Sequence, residues 1–142
     1  MQLKDIMTNS VIQIHPSENA DVAARLLTHY NIGSLPVCDN NGNLIGMLTD
    51  RDLVVRCLAT GRKIEKTPVR EIMTARVVSA SPEMDVGVAA HLMGREQVRR
   101  LPVVKEGKLC GMVSVGDIAG REDSSYDAAE ALGEICTNLS QK

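Results

Sequence analysis

Gly46-Met47-Leu48-Thr49-Asp50-Arg51-Asp52 is answered by Gly111-Met112-Val113-Ser114-Val115-Gly116-Asp117, a shift of 65 residues from 46 to 111. Working outward, the preceding Leu35-Pro36-Val37 returns as Leu101-Pro102-Val103, now at a shift of 66, so one residue is lost in the turn between the two motifs. The larger shift also carries Val22-Ala23-Ala24 onto Val88-Ala89-Ala90, Leu26 onto Leu92, Pro16 onto Pro82, Val11 onto Val77, and Asp5-Ile6-Met7-Thr8 onto Glu71-Ile72-Met73-Thr74. Chance does not hold one register across so many positions, and the chain is read as a unit used twice.

Each copy carries the same signals. Val11 to Ile14 is a short alternating run stopped by Pro16, the pattern of a strand. After Ser17, Ala20, Ala23, Ala24, Leu26 and Leu27 are spaced for one face of a helix ending near Tyr30. Leu35 to Cys38 and Leu44 to Thr49 flank Asp39-Asn40-Asn41-Gly42 and predict a hairpin. A second helix runs from Thr49 through Leu53, Val54, Val55 and Leu58 to Gly61. The fold class is α/β in the α+β sense, two β-α-β-β-α repeats. A unit this small hides too little surface to be stable alone, so the copies are expected to pack sheet to sheet about a pseudo-two-fold axis. The boundaries read as repeat 1 over 1–59, a polar linker over 60–68, repeat 2 over 69–121, and a helical tail over 122–142. The tail starts at Ser124-Ser125-Tyr126-Asp127, and Ala128, Leu132, Ile135 and Leu139 predict a face that docks.

Composition narrows the function. Lys and Arg number 16 against 18 Asp and Glu, and Phe and Trp are absent, leaving Tyr30 and Tyr126 as the aromatics. Without a basic excess or stacking platforms, nucleic acid is not the expected partner. No apolar run would span a bilayer, and Met1-Gln2-Leu3-Lys4-Asp5 lacks the apolar core of a secretion signal, so a cytoplasmic protein is expected, with no membrane partner. Cys38, Cys57, Cys110 and Cys136 are widely spaced and read as small buried hydrophobes. His15, His29 and His91 are as scattered, and their spacing builds no metal site.

In the repeated motif a hydroxyl leaves a strand and a carboxylate follows three residues later. One reading is a helix cap, with Thr49 or Ser114 satisfying free amides. The other uses the same geometry for a ligand: amides and hydroxyl face a phosphate while Asp52 or Asp117 accepts the hydrogen bonds of a ribose diol. No nucleophile with a base, metal cluster or carboxylate pair with divided roles stands at a recognisable spacing, so an enzyme is not expected.

The paired D/E-I-M-T starts, the x-x-L-P-V strands and the two junctions Gly46 to Asp52 and Gly111 to Asp117 resemble the tandem CBS-domain proteins, whose paired unit is called a Bateman module. The resemblance covers residues 3 to about 121. Thr49 to Asp52 as T-D-R-D and Val98 to Val103 as V-R-R-L-P-V are similar to the stand-alone bacterial type. It implies a regulatory sensor that binds an adenosyl ligand (AMP, ADP, ATP, S-adenosylmethionine or NAD) in a cleft between repeats, has no other cofactor, forms a disc-like homodimer and signals to an unknown effector protein. By the same resemblance, one site combines Thr49, Asp52 and Arg51 with Val98, Arg99, Arg100 and backbone near Arg76 and Val77. The other combines Ser114 and Asp117 with Ile32, Gly33, Ser34, backbone near Ser10 and Val11, and Val115 and Gly116. Arg99 and Arg100 are expected to meet a phosphate in the first. A ligand-independent dimerising scaffold has the same fold and stands as the alternative.

Overall fold

The computed structural model describes residues 1–121 and 125–140. The chain forms two compact units, residues 12–77 and residues 1–11 with 78–142. These units are not the sequence repeats: the chain changes unit after Val11 and again after Val77, so the start of each repeat is built into the unit that holds the body of the other.

In the 12–77 unit, α1 spans Ala20–Tyr30, β1 Ser34–Cys38 and β2 Leu44–Thr49, and α2, Asp50–Asp52, runs directly into a π-helix over Leu53–Leu58. The strands pair antiparallel with Ser34 opposite Thr49 and slip at Val37/Cys38. Asp39 holds the turn by accepting from the amides of Asn41 and Asn43, both at 2.9 Å, and these bonds hold its carboxyl below the ordinary range. The core is Ile14, Ala20, Ala23, Leu27, Leu35, Val37, Leu48, Leu53, Cys57, Val69 and Ile72. Full burial of a Leu or Ile such as Leu35, Leu48 or Ile72 contributes about 1.5–3 kcal/mol.

The other unit repeats the plan with α3 at Val86–Glu96, β3 at Arg100–Lys105, β4 at Lys108–Ser114 and α4 at Val115–Ala119, then adds α5 at Ser125–Ser140. Its strands pair antiparallel, Arg100 opposite Ser114. Leu3, Val86, Met93, Leu101, Val103, Val113 and Ile118 are among its core.

The predicted strand Val11 to Ile14 is reduced to one parallel bridge, Ile14 to Val37, mirrored by Ala80 to Val103. Proline explains why it goes no further: Pro16 and Pro82 have no amide to extend a ladder. Instead their carbonyls accept from Arg70 at 3.1 Å and Lys4 at 2.9 Å. The first amide of α1, Ala20 N, donates to Thr67 O at 2.8 Å, and that of α3, Val86 N, donates to Met1 O at 2.9 Å. The linker is therefore part of the fold, with a 3-10 turn at Ile64–Lys66 and Thr67 buried. The tail does dock, in contact with α3 and α4, but on Ala128, Ala131 and Ile135. Leu132 is 40% exposed, and the Leu139 side chain and Ser124 lie outside the described residues. Cys38 and Cys57 are buried as expected, whereas Cys110 is half-buried and Cys136 exposed.

The exchanged segments close both hairpins in the same way. Thr74 and Met47 trade amide-to-carbonyl bonds at 2.9 Å each, and Thr8 and Met112 do so at 2.9 and 3.0 Å. Met73 then lies over Gly46 and Met7 over Gly111: a Cβ at either glycine would stand 2.5 Å from the methionine sulfur and 3.1 Å from the carbonyl of Thr74 or Thr8. The sulfur can swing away, but the carbonyl is tied into the ladder. Gly46→Val is therefore expected to destabilise by about 1–3 kcal/mol, the usual cost of overpacking, and Met73→Ala in the same chain to recover part of it. Urea unfolding of the two single variants and the double variant measures this; strictly additive losses would contradict the contact.

Candidate functional site: two hydroxyl and carboxylate turns

β2 ends at Thr49 and β4 at Ser114, both extended residues from which a helix starts at once. Thr49 Oγ1 accepts from Asp52 N and Asp52 Oδ2 accepts from Thr49 N, both at 3.0 Å. In the other unit, Ser114 Oγ accepts from Asp117 N at 3.1 Å and Asp117 Oδ2 from Ser114 N at 2.8 Å. These are full capping boxes, each satisfying two amides that would otherwise lack partners. The cap leaves the ligand chemistry intact. Each hydroxyl is used as an acceptor and keeps its own O–H to donate, and each carboxylate keeps one oxygen outside the box.

The second oxygens differ. Asp52 is buried, and Arg56 Nε stands 3.7 Å from its Oδ1 while Arg56 Nη1 donates to Met73 O at 3.1 Å. In the repeat register the counterpart of Arg56 is Arg121, beyond the end of α4. Among the described residues no ion pair joins it to Asp117. The Asp117 box is thus the more anionic of the two at its free oxygen.

Ser34 stands opposite Thr49 in the ladder, Gly33 O accepts from Asp50 N at 3.1 Å, and Ile32 N donates to the end of α1 at Leu27 O. Ser34 Oγ is buried and, among the described residues, has no hydrogen-bond partner. Such an orphan costs about 1–3 kcal/mol unless water or ligand completes it. In the other unit Arg100 stands opposite Ser114, Arg99 O accepts from Val115 N at 2.9 Å, and Val98 N donates to Met93 O. Arg99, Arg100 and Arg51 are exposed. Val77 and Val11, both half-buried, end the segments that carry Thr74 and Thr8. Inside each unit the register therefore runs within one repeat: Arg99 and Arg100 neighbour Ser114 and Asp117, and Gly33 and Ser34 neighbour Thr49 and Asp52. An antiparallel hairpin brings the residue before Leu-Pro-Val opposite the hydroxyl that ends its own second strand.

Sequence reading missed Arg56, whose spacing of four from Asp52 was its only signal. It also set aside His91, which lies on α3 with Nε2 3.8 Å from Asp127 Oδ1 on α5. No helix among the described residues is long and apolar enough to cross a membrane.

Two units, each a hairpin and helices closed by a segment from the other repeat and each ending its second strand in a hydroxyl–carboxylate turn, define a paired-repeat module of regulatory type. The family described as CBS domain matches twice, over residues 3–58 and 69–123. The CBS domain-containing protein YhcV of Bacillus subtilis is 41% identical over 133 residues, covering 94% of each chain. The crystal structure of Hypoxic Response Protein I with two coordinated zinc ions superposes with TM-score 0.79 at 32% identity, over 85% of this chain and 98% of that one. The CBS domain pair of protein MJ0100, in complex with 5-methylthioadenosine and S-adenosyl-L-methionine, gives TM-score 0.75 at 30% identity, over 84% and 94%. The chain belongs to the CBS-domain family, as a tandem pair of the kind found in stand-alone bacterial proteins.

Proposed function

We propose that the chain is a regulatory module of the cytoplasm that binds an adenosyl nucleotide of the AMP, ADP or ATP kind, or S-adenosylmethionine or NAD, and passes the binding event to an effector protein. The observation that carries this reading is the duplicated turn, in which hydroxyl and carboxylate are both pre-positioned by the cap and both retain ligand-binding capacity. The solved pair with S-adenosyl-L-methionine supports the adenosyl class. The nucleotide is the only small molecule the reading requires.

Strand register, which sets the cations Arg99 and Arg100 beside it, supports the Ser114 and Asp117 turn as the one that takes a phosphorylated ligand. Asp117 would accept the ribose diol, and hydrogen bonds to charged groups of this sort contribute about 1.5–3 kcal/mol each. The Thr49 and Asp52 turn, with Arg51 and the orphan hydroxyl of Ser34, would take the less phosphate-dependent ligand. Titration calorimetry and thermal melting of refolded protein with adenosine, AMP, ATP, S-adenosylmethionine, NAD and GTP test this. A ligand at 100 times its Kd is expected to stabilise by about 2.7 kcal/mol. Arg100→Ala should weaken ATP about tenfold and leave adenosine unchanged, and Asp117→Ala should weaken both. No binding of any adenosyl ligand at millimolar concentration would leave the ligand-independent scaffold as the function.

The module is also proposed to be a homodimer. In the 12–77 unit Tyr30, Val54, Val55 and Leu58 are between 45% and 57% exposed, and large exposed apolar area marks an interface. Light scattering at tens of micromolar is expected to give twice 15.4 kDa; the single mass would refute it.

A further inference from the structure

The row of α3 that meets α5 is Gly87, His91 and Gly94. A methyl group at Gly94 would stand 3.2 Å from the Ala131 Cα, and one at Gly87 would stand 3.3 Å from Asp127 Oδ2. The helices run close because two positions of that row carry no side chain, and the side chain left between them is an imidazole. Asp127 is seated against the α3 backbone one turn from it, and Glu130 follows Asp127 at the i+3 spacing that shares a helix face. One ligand atom from each of His91, Asp127 and Glu130 lies within 4.8 Å of the others. His91 and Glu130 are exposed and Asp127 is half-buried. The imidazole also borders a cavity of about 420 Å³ lined by Met84, Val88, Leu92, Arg95 and Glu134.

We propose that His91, Asp127 and Glu130 bind a divalent transition metal of the zinc class and that the ion ties α5 to α3. An ion pair alone would need only His91 and Asp127. Glu130 brings a second carboxylate to the same point, where two anions repel unless a cation joins them. One nitrogen and two oxygens form a borderline donor set that suits Zn²⁺, whereas Mg²⁺ and Ca²⁺ favour oxygen alone. Bonds of about 2.0–2.2 Å put tetrahedral donors roughly 3.3–3.5 Å apart. The His91–Asp127 separation of 3.8 Å closes to that with a small rotation of an exposed ring. The fourth position would hold water and face the solvent side.

The test is calorimetric titration and thermal melting of EDTA-treated full-length protein with Zn²⁺ and Co²⁺, in a Cys136→Ser background so that the exposed thiol cannot bind the ion. One equivalent per chain and a higher melting temperature with Zn²⁺, but not with Mg²⁺, are expected. His91→Ala and Glu130→Gln should each weaken Zn²⁺ at least about tenfold, and Glu134→Gln, which borders the cavity outside the donor set, should not. Failure to bind Zn²⁺ at 100-fold molar excess overturns the proposal and leaves His91 and Asp127 an ion pair. So does stoichiometric binding that both ligand variants leave intact.

Discussion

Everything in this structure depends on a methionine lying over a glycine that belongs to the other repeat. Met73 over Gly46 and Met7 over Gly111 let Thr74 and Thr8 reach the outer edges of two-stranded hairpins that are marginal by themselves. The same segments deliver Ile72 and Leu3, both fully buried, to the two cores and supply the carbonyls that take the first amides of α1 and α3. Neither repeat can be completed by its own sequence. Folding one unit requires the chain to have continued through the linker, and folding the other requires the extreme N-terminus to return, so local stability is bound to long-range closure.

That closure also fixes the two turns. Each turn sits where the closed hairpin ends, so its hydroxyl and carboxylate are held by ladder and cap together rather than by a mobile loop. A ligand that uses the outward oxygen and the hydroxyl proton finds them already ordered and loses little entropy in organising them. The pairing of Asp52 with Arg56, without a counterpart between Asp117 and Arg121 among the described residues, gives two similar turns different charge.

Much of this was legible in the sequence, and the boundary is physical. The hairpins and α1 were readable because Leu35-Pro36-Val37, Asp39 to Gly42 and the Ala20 to Leu27 spacing are local signals. The repeat revealed that Gly46-Met47 and Glu71 to Thr74 matter, but not that they are mates, because their contact crosses from one repeat to the other. The strand at Val11 to Ile14 shrank to a bridge because its alternation is local while its partners are not. On the tail, period alone chose Leu132 for the buried face, and the close approach allowed by Gly94 brought Ala131 there instead. His91 looked isolated for the same reason: Asp127 and Glu130 are neighbours only once α5 has docked.

The central claim, that the exchanged segments are integral to each unit, is tested most directly by native-state hydrogen exchange at the amides of Met47, Thr74, Thr8 and Met112. If each segment is part of its unit's cooperative core, these amides open with the same free energy as the β1–β2 and β3–β4 ladders, near that of global unfolding. Rapid exchange of Thr8 and Thr74 by local opening, while the ladders stay protected, would contradict the account.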